Sequence, residues 1–243
     1  MATFYFAAGE NSNWSTPANW YTNEACTIPA AALPTSADSV VAGNGVITLD
    51  TPRTVVNFLK TGPFLAGGNL NNTLTVTGLA TFVGSVAGAT VIGNCLFDSG
   101  SSTMSPIFGN CTFDNESWNY STVHGNAWFY NGSTNNSTVT EDAFFDESSN
   151  GYIVNGDATF DHGSANDQGG RVEGNATFLN GSYMDVTPST PPPVIVGDAT
   201  FDLASAVKQI AGNAGVPYRC AVLGAVIFKY EKGINGSSIL GVI

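Results

Sequence analysis

Carboxylates are the side chains here that recur often enough to do chemistry. Asp98, Asp114, Asp146, Asp161 and Asp202 each directly follow a phenylalanine. Pairs such as Asp98/Asp114 and Asp146/Asp161, held one sheet layer apart, can share general acid–base work or hold Ca²⁺. An Asp at a strand end can instead cap a turn through neighbouring backbone, which requires no ligand and no reaction. His162 follows Asp161 and supplies an acid–base neighbour. His124, the other histidine, falls at a different phase, and solvated surface is the default for both. Polysaccharide-cleaving sites set acids beside Arg or Lys, yet Arg171 is the only basic residue between Lys60 and Lys208. No CxxC or Cys/His pairing has metal-ligand spacing. The expectation is no catalytic residue, no metal and no cofactor, and so not an enzyme.

The elements that must position these acids are set by a repeat. Aliphatic residue, spacer, Gly, Asn or Asp, small residue, spacer, Phe recurs about every sixteen residues, as in Val91 to Phe97, Ile107 to Phe113 and Val123 to Phe129. In Val139 to Phe145 Glu141 replaces the Gly; further copies run from Val154, Val172 and Ile195. Within a copy the alternation has period two, which means strand. A unit this short cannot bury its own apolar residues, so copies must stack. The expected fold is all-β, a parallel β-helix (β-solenoid) with irregular N- and C-terminal caps; an antiparallel sandwich is the rival. Three inward columns follow: aliphatic (Val91, Ile107, Val123 onward), small (Ala80, Cys95, Cys111 onward) and aromatic (Phe82, Phe97, Phe113 onward). Cys95 and Cys111 read as buried free thiols acting as small hydrophobes. The Asn94, Asn110, Asn126, Asp142 column reads as a turn-forming ladder.

Residues 1–70 stand outside the repeat and read as a Trp-rich cap with early irregular coils, 71–201 as regular coils, and 202–243 as a cap or docking segment. Val46 to Leu49 and Thr54 to Leu59 look like early strands. Leu203 to Ala211 has good helix formers and reads as a short helix or turn stopped by Gly212. Val222 to Phe228 is a degenerate last copy.

Charged residues make up 11% of the chain, against about 25% in typical globular proteins. Net charge is −12, with 7 Lys and Arg against 19 Asp and Glu. That excludes a phosphate-binding stripe and argues against direct nucleic-acid binding. Met1-Ala2-Thr3-Phe4 lacks the basic and apolar regions of a signal peptide, and no apolar run is long enough to span a membrane.

The outward position before each Phe is mostly Thr (Thr81, Thr112, Thr159, Thr177, Thr200), but Leu96, Trp128 and Phe144 break the series, with Tyr130 beyond Trp128. These four are candidate interface residues; cover by another part of the chain and a carbohydrate-stacking platform are the alternatives. The interruption also argues against an ice-binding Thr array. Lys229, Lys232, Ile239 and Leu240, in a basic and apolar C-terminal segment, are candidates for docking on a larger assembly.

The Gly125-Asn126-Ala127-Trp128-Phe129 and Gly174-Asn175-Ala176-Thr177-Phe178 copies resemble β-solenoid repeats of bacterial and phage surface proteins. Trp14 to Trp20, with Leu33 to Asp38, looks like the opening of such proteins, and together the resemblance covers about three quarters of the chain. It implies a homotrimer. Two roles are similar in character: a capsid decoration (cement) protein and a tail spike. A start directly at the cap favours decoration, with the viral major capsid protein as partner and assembly in the host cytoplasm before residence in the virion. The alternatives are a receptor- or glycan-binding spike using Trp118, Tyr120, Trp128 and Tyr130, and a polysaccharide-cleaving enzyme using Asp146, Asp161 and His162.

Overall fold

The computed structural model describes residues 1–7, 11–43, 45–62, 64–67, 72–167, 169–186, 192–202, 205–209 and 221–229. The chain is an all-β parallel β-solenoid, divided into two compact units, Met1–Gly125 and Asn126–Ile243.

In the first unit Thr3–Phe6 pairs antiparallel with Trp20–Tyr21 and parallel with Ser39–Ala42. Phe58–Thr61, Thr73–Val83, Thr90–Asp98 and Cys111–Phe113 then add in parallel. A second parallel sheet stacks Ile47–Leu49, Phe64–Gly67, Val86–Gly88, Ser102–Thr103 and Trp118–Asn119. The tryptophans close the N-terminal end of this core. Trp14 and Trp20 are fully buried with ring centroids 4.8 Å apart, and Trp20 Nε1 donates to the Trp14 carbonyl at 2.7 Å.

The second unit has three short strands per coil. Ala127–Tyr130, Ala143–Asp146, Ala158–Asp161, Ala176–Phe178, Ala199–Phe201 and Val226–Phe228 stack in parallel. So do Thr134–Asn135, Ser149–Asn150, Ala165–Asn166, Tyr183–Val186 and Ala206–Gln209. The third stack is Ile153–Val154, Arg171–Val172, Val194–Ile195 and Ala221–Val222. The helix or turn expected across Leu203 to Ala211 is replaced, where described, by the strand Ala206–Gln209. In-register pairing with Tyr183–Val186 outweighs the weak local preference of these residues for a helix. The degenerate copy near Val226 does form a coil.

The three inward columns are those expected. Phenylalanines at 82, 97 and 113 in the first unit, and at 129, 145, 160, 178 and 201 in the second, are fully buried. Their rings stack nearly parallel, Phe82 on Phe97 at 4.8 Å and Phe178 on Phe201 at 4.7 Å. These spacings equal the separation of hydrogen-bonded strands, so the coil repeat itself sets ring stacking. Cys95 and Cys111 are Cα partners in adjacent coils, both buried and both free thiols; burial, then the Cys95 side chain, pushes the Cys111 thiol well up.

Close approach explains the repeated glycine. A Cβ on Gly109 would lie 2.3 Å from the Gly93 carbonyl oxygen, and one on Gly174 would lie 2.6 Å from that of Gly156. Backbone of one coil therefore occupies the space a side chain of the next would need.

Polar residues also line inward positions in each unit. Ser101, Ser117 and Asn119 are buried in the first, and Ser133, Ser164, Ser182, Asn135, Asn150 and Asn166 in the second. Ser101 Oγ donates to the Asp98 carbonyl at 2.6 Å, and Ser164 Oγ does the same to that of Asp161 at 2.6 Å. Asn135 Nδ2 donates to Asn150 Oδ1 and Asn150 Nδ2 to Asn166 Oδ1, both at 2.8 Å. Stacked amides satisfy one another, which is how such groups lie in a dry interior without the cost of an unmade bond.

Candidate functional site

The acid columns are first of all rungs of the stack. Asn126 Oδ1 accepts the Asp142 backbone N–H at 3.0 Å, Asp142 Oδ1 that of Asp157 at 2.8 Å, and Asp157 Oδ1 that of Asn175 at 2.7 Å. The expected turn-forming ladder therefore works from coil to coil. Any residue with a side-chain oxygen at this distance serves, which is why Asn and Asp alternate freely in the column.

The acids after phenylalanine do similar work. Asp114 and Asp161 each accept the N–H of the following residue at 2.8 Å. Asn115, His162 and Asn180 have φ of 50°, 47° and 49°. Each lies in the turn after the Phe strand, and each side chain reaches an Asp of the preceding coil. Asn115 Nδ2 donates to Asp98 Oδ1 at 2.7 Å and Asn180 Nδ2 to Asp161 Oδ1 at 2.6 Å. His162 Nδ1 lies 2.7 Å from Asp146 Oδ1 and 3.7 Å from Asp161 Oδ1. The sequence candidates Asp146, Asp161 and His162 are thus brought together, with histidine filling an asparagine rung.

The bond to Asp146, followed by the charges of Asp161, Asp146 and Glu147, raises the His162 pKa above its ordinary 6.5. A raised histidine stabilises the fold below the ordinary value, and that contribution is lost as pH rises through the folded value. An NMR titration of His162 is expected to give a midpoint above 6.5 that falls toward it in Asp146→Asn. His162→Asn is expected to keep the rung and abolish the titration.

Outside these rungs lies a more exposed surface. In the second unit Trp128 pairs with Phe144 and Phe144 with Thr159 on the outward face, all half-buried. Tyr130 packs against Phe144 with ring centroids 5.9 Å apart. A shallow groove of about 260 Å³ runs beside them, lined by Trp128, Phe144, Thr159, Asn126, Asp142 and Asp157. Three of the four interface candidates therefore share one face. Leu96 belongs to the first unit, half-buried between Thr81 and Thr112. Lys229 is exposed at the end of Val226–Phe228; Lys232, Ile239 and Leu240 lie outside the described residues.

One outward column of the first unit escaped sequence reasoning. Ile92, Phe108 and His124 succeed one another beyond the aliphatic column, with Ile92 40% and Phe108 47% exposed. The Phe108 and His124 rings stack at 4.3 Å and 5°. The signal was available, because each residue directly follows an inward aliphatic at the same phase.

A second depression of about 370 Å³ includes Glu147, His162, Asp167 and Tyr183 in its lining. Burial first, then the charge of Asp185, pushes the Asp167 carboxyl up to about 6. Among the described residues, no helix is long and apolar enough to cross a membrane. No family model, no curated protein and no solved structure matches the chain.

Proposed function

We infer that this chain is a structural, non-enzymatic component of a virus particle, a capsid decoration (cement) protein. It acts as a homotrimer and stabilises the shell by binding the major capsid protein. The observation that carries the reading is where the side chains are used. The acids and His162, which an enzyme would need for chemistry, serve as hydrogen-bonded rungs between coils. The large outward groups, Trp128, Phe144 and Phe108, are available for protein contact instead. The Ile92–Phe108 ribbon is the surface suited to contact between like copies, since both side chains are uncharged and exposed.

Light scattering of the purified protein, alone and with empty shells, tests this reading. A stable trimer that pellets with shells and raises their melting temperature is the expected result. A monomer that ignores shells overturns it. A tail spike that binds receptors or glycans is the second reading, favoured by the half-exposed rings of Tyr120 and Tyr152; glycan-array hits with no shell binding would select it.

A further inference from the structure

We propose that the Trp128–Phe144 face docks a basic polypeptide segment of a different protein, and not a second copy of this chain. Asn126 and Tyr130 flank Trp128 on its own coil, and from the Phe144 coil onward the strip runs between acids. On one side stand Asp142 and Asp157; on the other stand Asp146 and Asp161, with His162 Nδ1 2.7 Å from Asp146 and 3.7 Å from Asp161. Along the Asp142/Asp157 rail the acids follow one another coil by coil, so like charges stand about 4.8 Å apart. A cationic side chain bridging two rungs relieves that repulsion, and an ammonium or guanidinium over the Trp128 ring adds cation–π attraction. Apolar side chains of the same segment fill the groove beside Phe144.

The same rails disfavour self-association through this face. Two identical faces would set acid against acid, in a chain whose net charge is already −12. The partner must bring the positive charge.

The repeat supplies its own conservative replacements for a test. Thr stands at the Trp128 and Phe144 position in Thr159, Thr177 and Thr200, and Asn stands at the Asp142 and Asp157 position in Asn126 and Asn175. Trp128→Thr/Phe144→Thr and Asp142→Asn/Asp157→Asn are therefore expected to keep the native circular dichroism and melting behaviour. The probe is a synthetic octapeptide alternating arginine and leucine, with a glutamate–leucine octapeptide as control, followed by calorimetry. Binding of the arginine peptide alone is expected. It should weaken about tenfold in either double variant, and weaken again between about 0.05 M and 0.3 M salt as the Debye length shrinks.

Equal binding of the glutamate peptide, or arginine-peptide binding unchanged in both variants, overturns the proposal. So does conversion of an oligomer to monomer in Trp128→Thr/Phe144→Thr, which would make the occupant a second copy. Binding of a neutral oligosaccharide at this face in place of the peptide does the same. The inference is independent of the virion role: peptide binding without shell binding retains it and removes the decoration reading.

Discussion

Phe145→Ala is expected to lower the free energy of unfolding of its unit by about 4 kcal/mol, read from urea titration. Phe145 is fully buried, stacked 4.8 Å from Phe129 and 4.9 Å from Phe160. Removing the ring loses its transfer free energy and two aromatic contacts, and leaves a void between layers. The surrounding coils cannot collapse into it, because backbone hydrogen bonds hold the layers at the strand spacing. In a stack of this kind stability is a sum of coil terms and nearest-neighbour terms. Phe145→Ala and Phe160→Ala are thus expected to combine non-additively, since they share one contact. Thr159→Ala, on the outward face of the same coil, should change stability by no more than about 0.5 kcal/mol. A loss at Phe145 as small as that at Thr159 would contradict the ring stack as a source of stability.

The phenylalanine, small and aliphatic columns were legible in the sequence because apolar residues of one size class recur at one phase. The serine and asparagine columns recur as faithfully, at nearly constant distances after each phenylalanine, yet these residue types ordinarily mark turns. Their burial makes sense only once parallel, in-register stacking gives each amide an identical neighbour to bond. Asn150 needs Asn135 and Asn166, and no single copy contains all three. The surroundings of His162 depend on stacking in the same way. Its neighbour in sequence is Asp161, whereas its hydrogen-bonded partner is Asp146 in the preceding coil. The outward face of Trp128, Phe144 and Tyr130 was readable from the break in the threonine series. What no single copy disclosed was that register sets Asp157 next to Asp142 and places His162 between Asp146 and Asp161.

Lys60 is the residue whose role the sequence concealed most completely, and its titration is the other large expected effect. It lies in the irregular early coils, where the repeat has not yet settled. In the structure it is fully buried and pairs with Phe82, so it occupies a phenylalanine rung. Its Nζ donates to the carbonyls of Gly43 at 2.7 Å and Thr61 at 2.5 Å. Among the described residues no carboxylate accompanies these bonds, and burial lowers its pKa from 10.5 to about 8. Below about pH 8 both folded and unfolded chains carry the proton, and the fold bears the cost of a desolvated ammonium. Between about 8 and 10.5 the unfolded chain binds more protons than the folded one, so stability rises with pH; above 10.5 the gain is complete. The interval corresponds to about 3 kcal/mol. Lys60→Met keeps a flexible apolar stem on the rung and removes the titration, so its stability should lack this rise. Urea titrations of wild type and Lys60→Met from neutral to alkaline pH give the difference directly, with the tyrosines and other shared groups cancelling. A difference that stays constant with pH would mean that Lys60 titrates in the fold as it does in water, and that its ammonium is solvated.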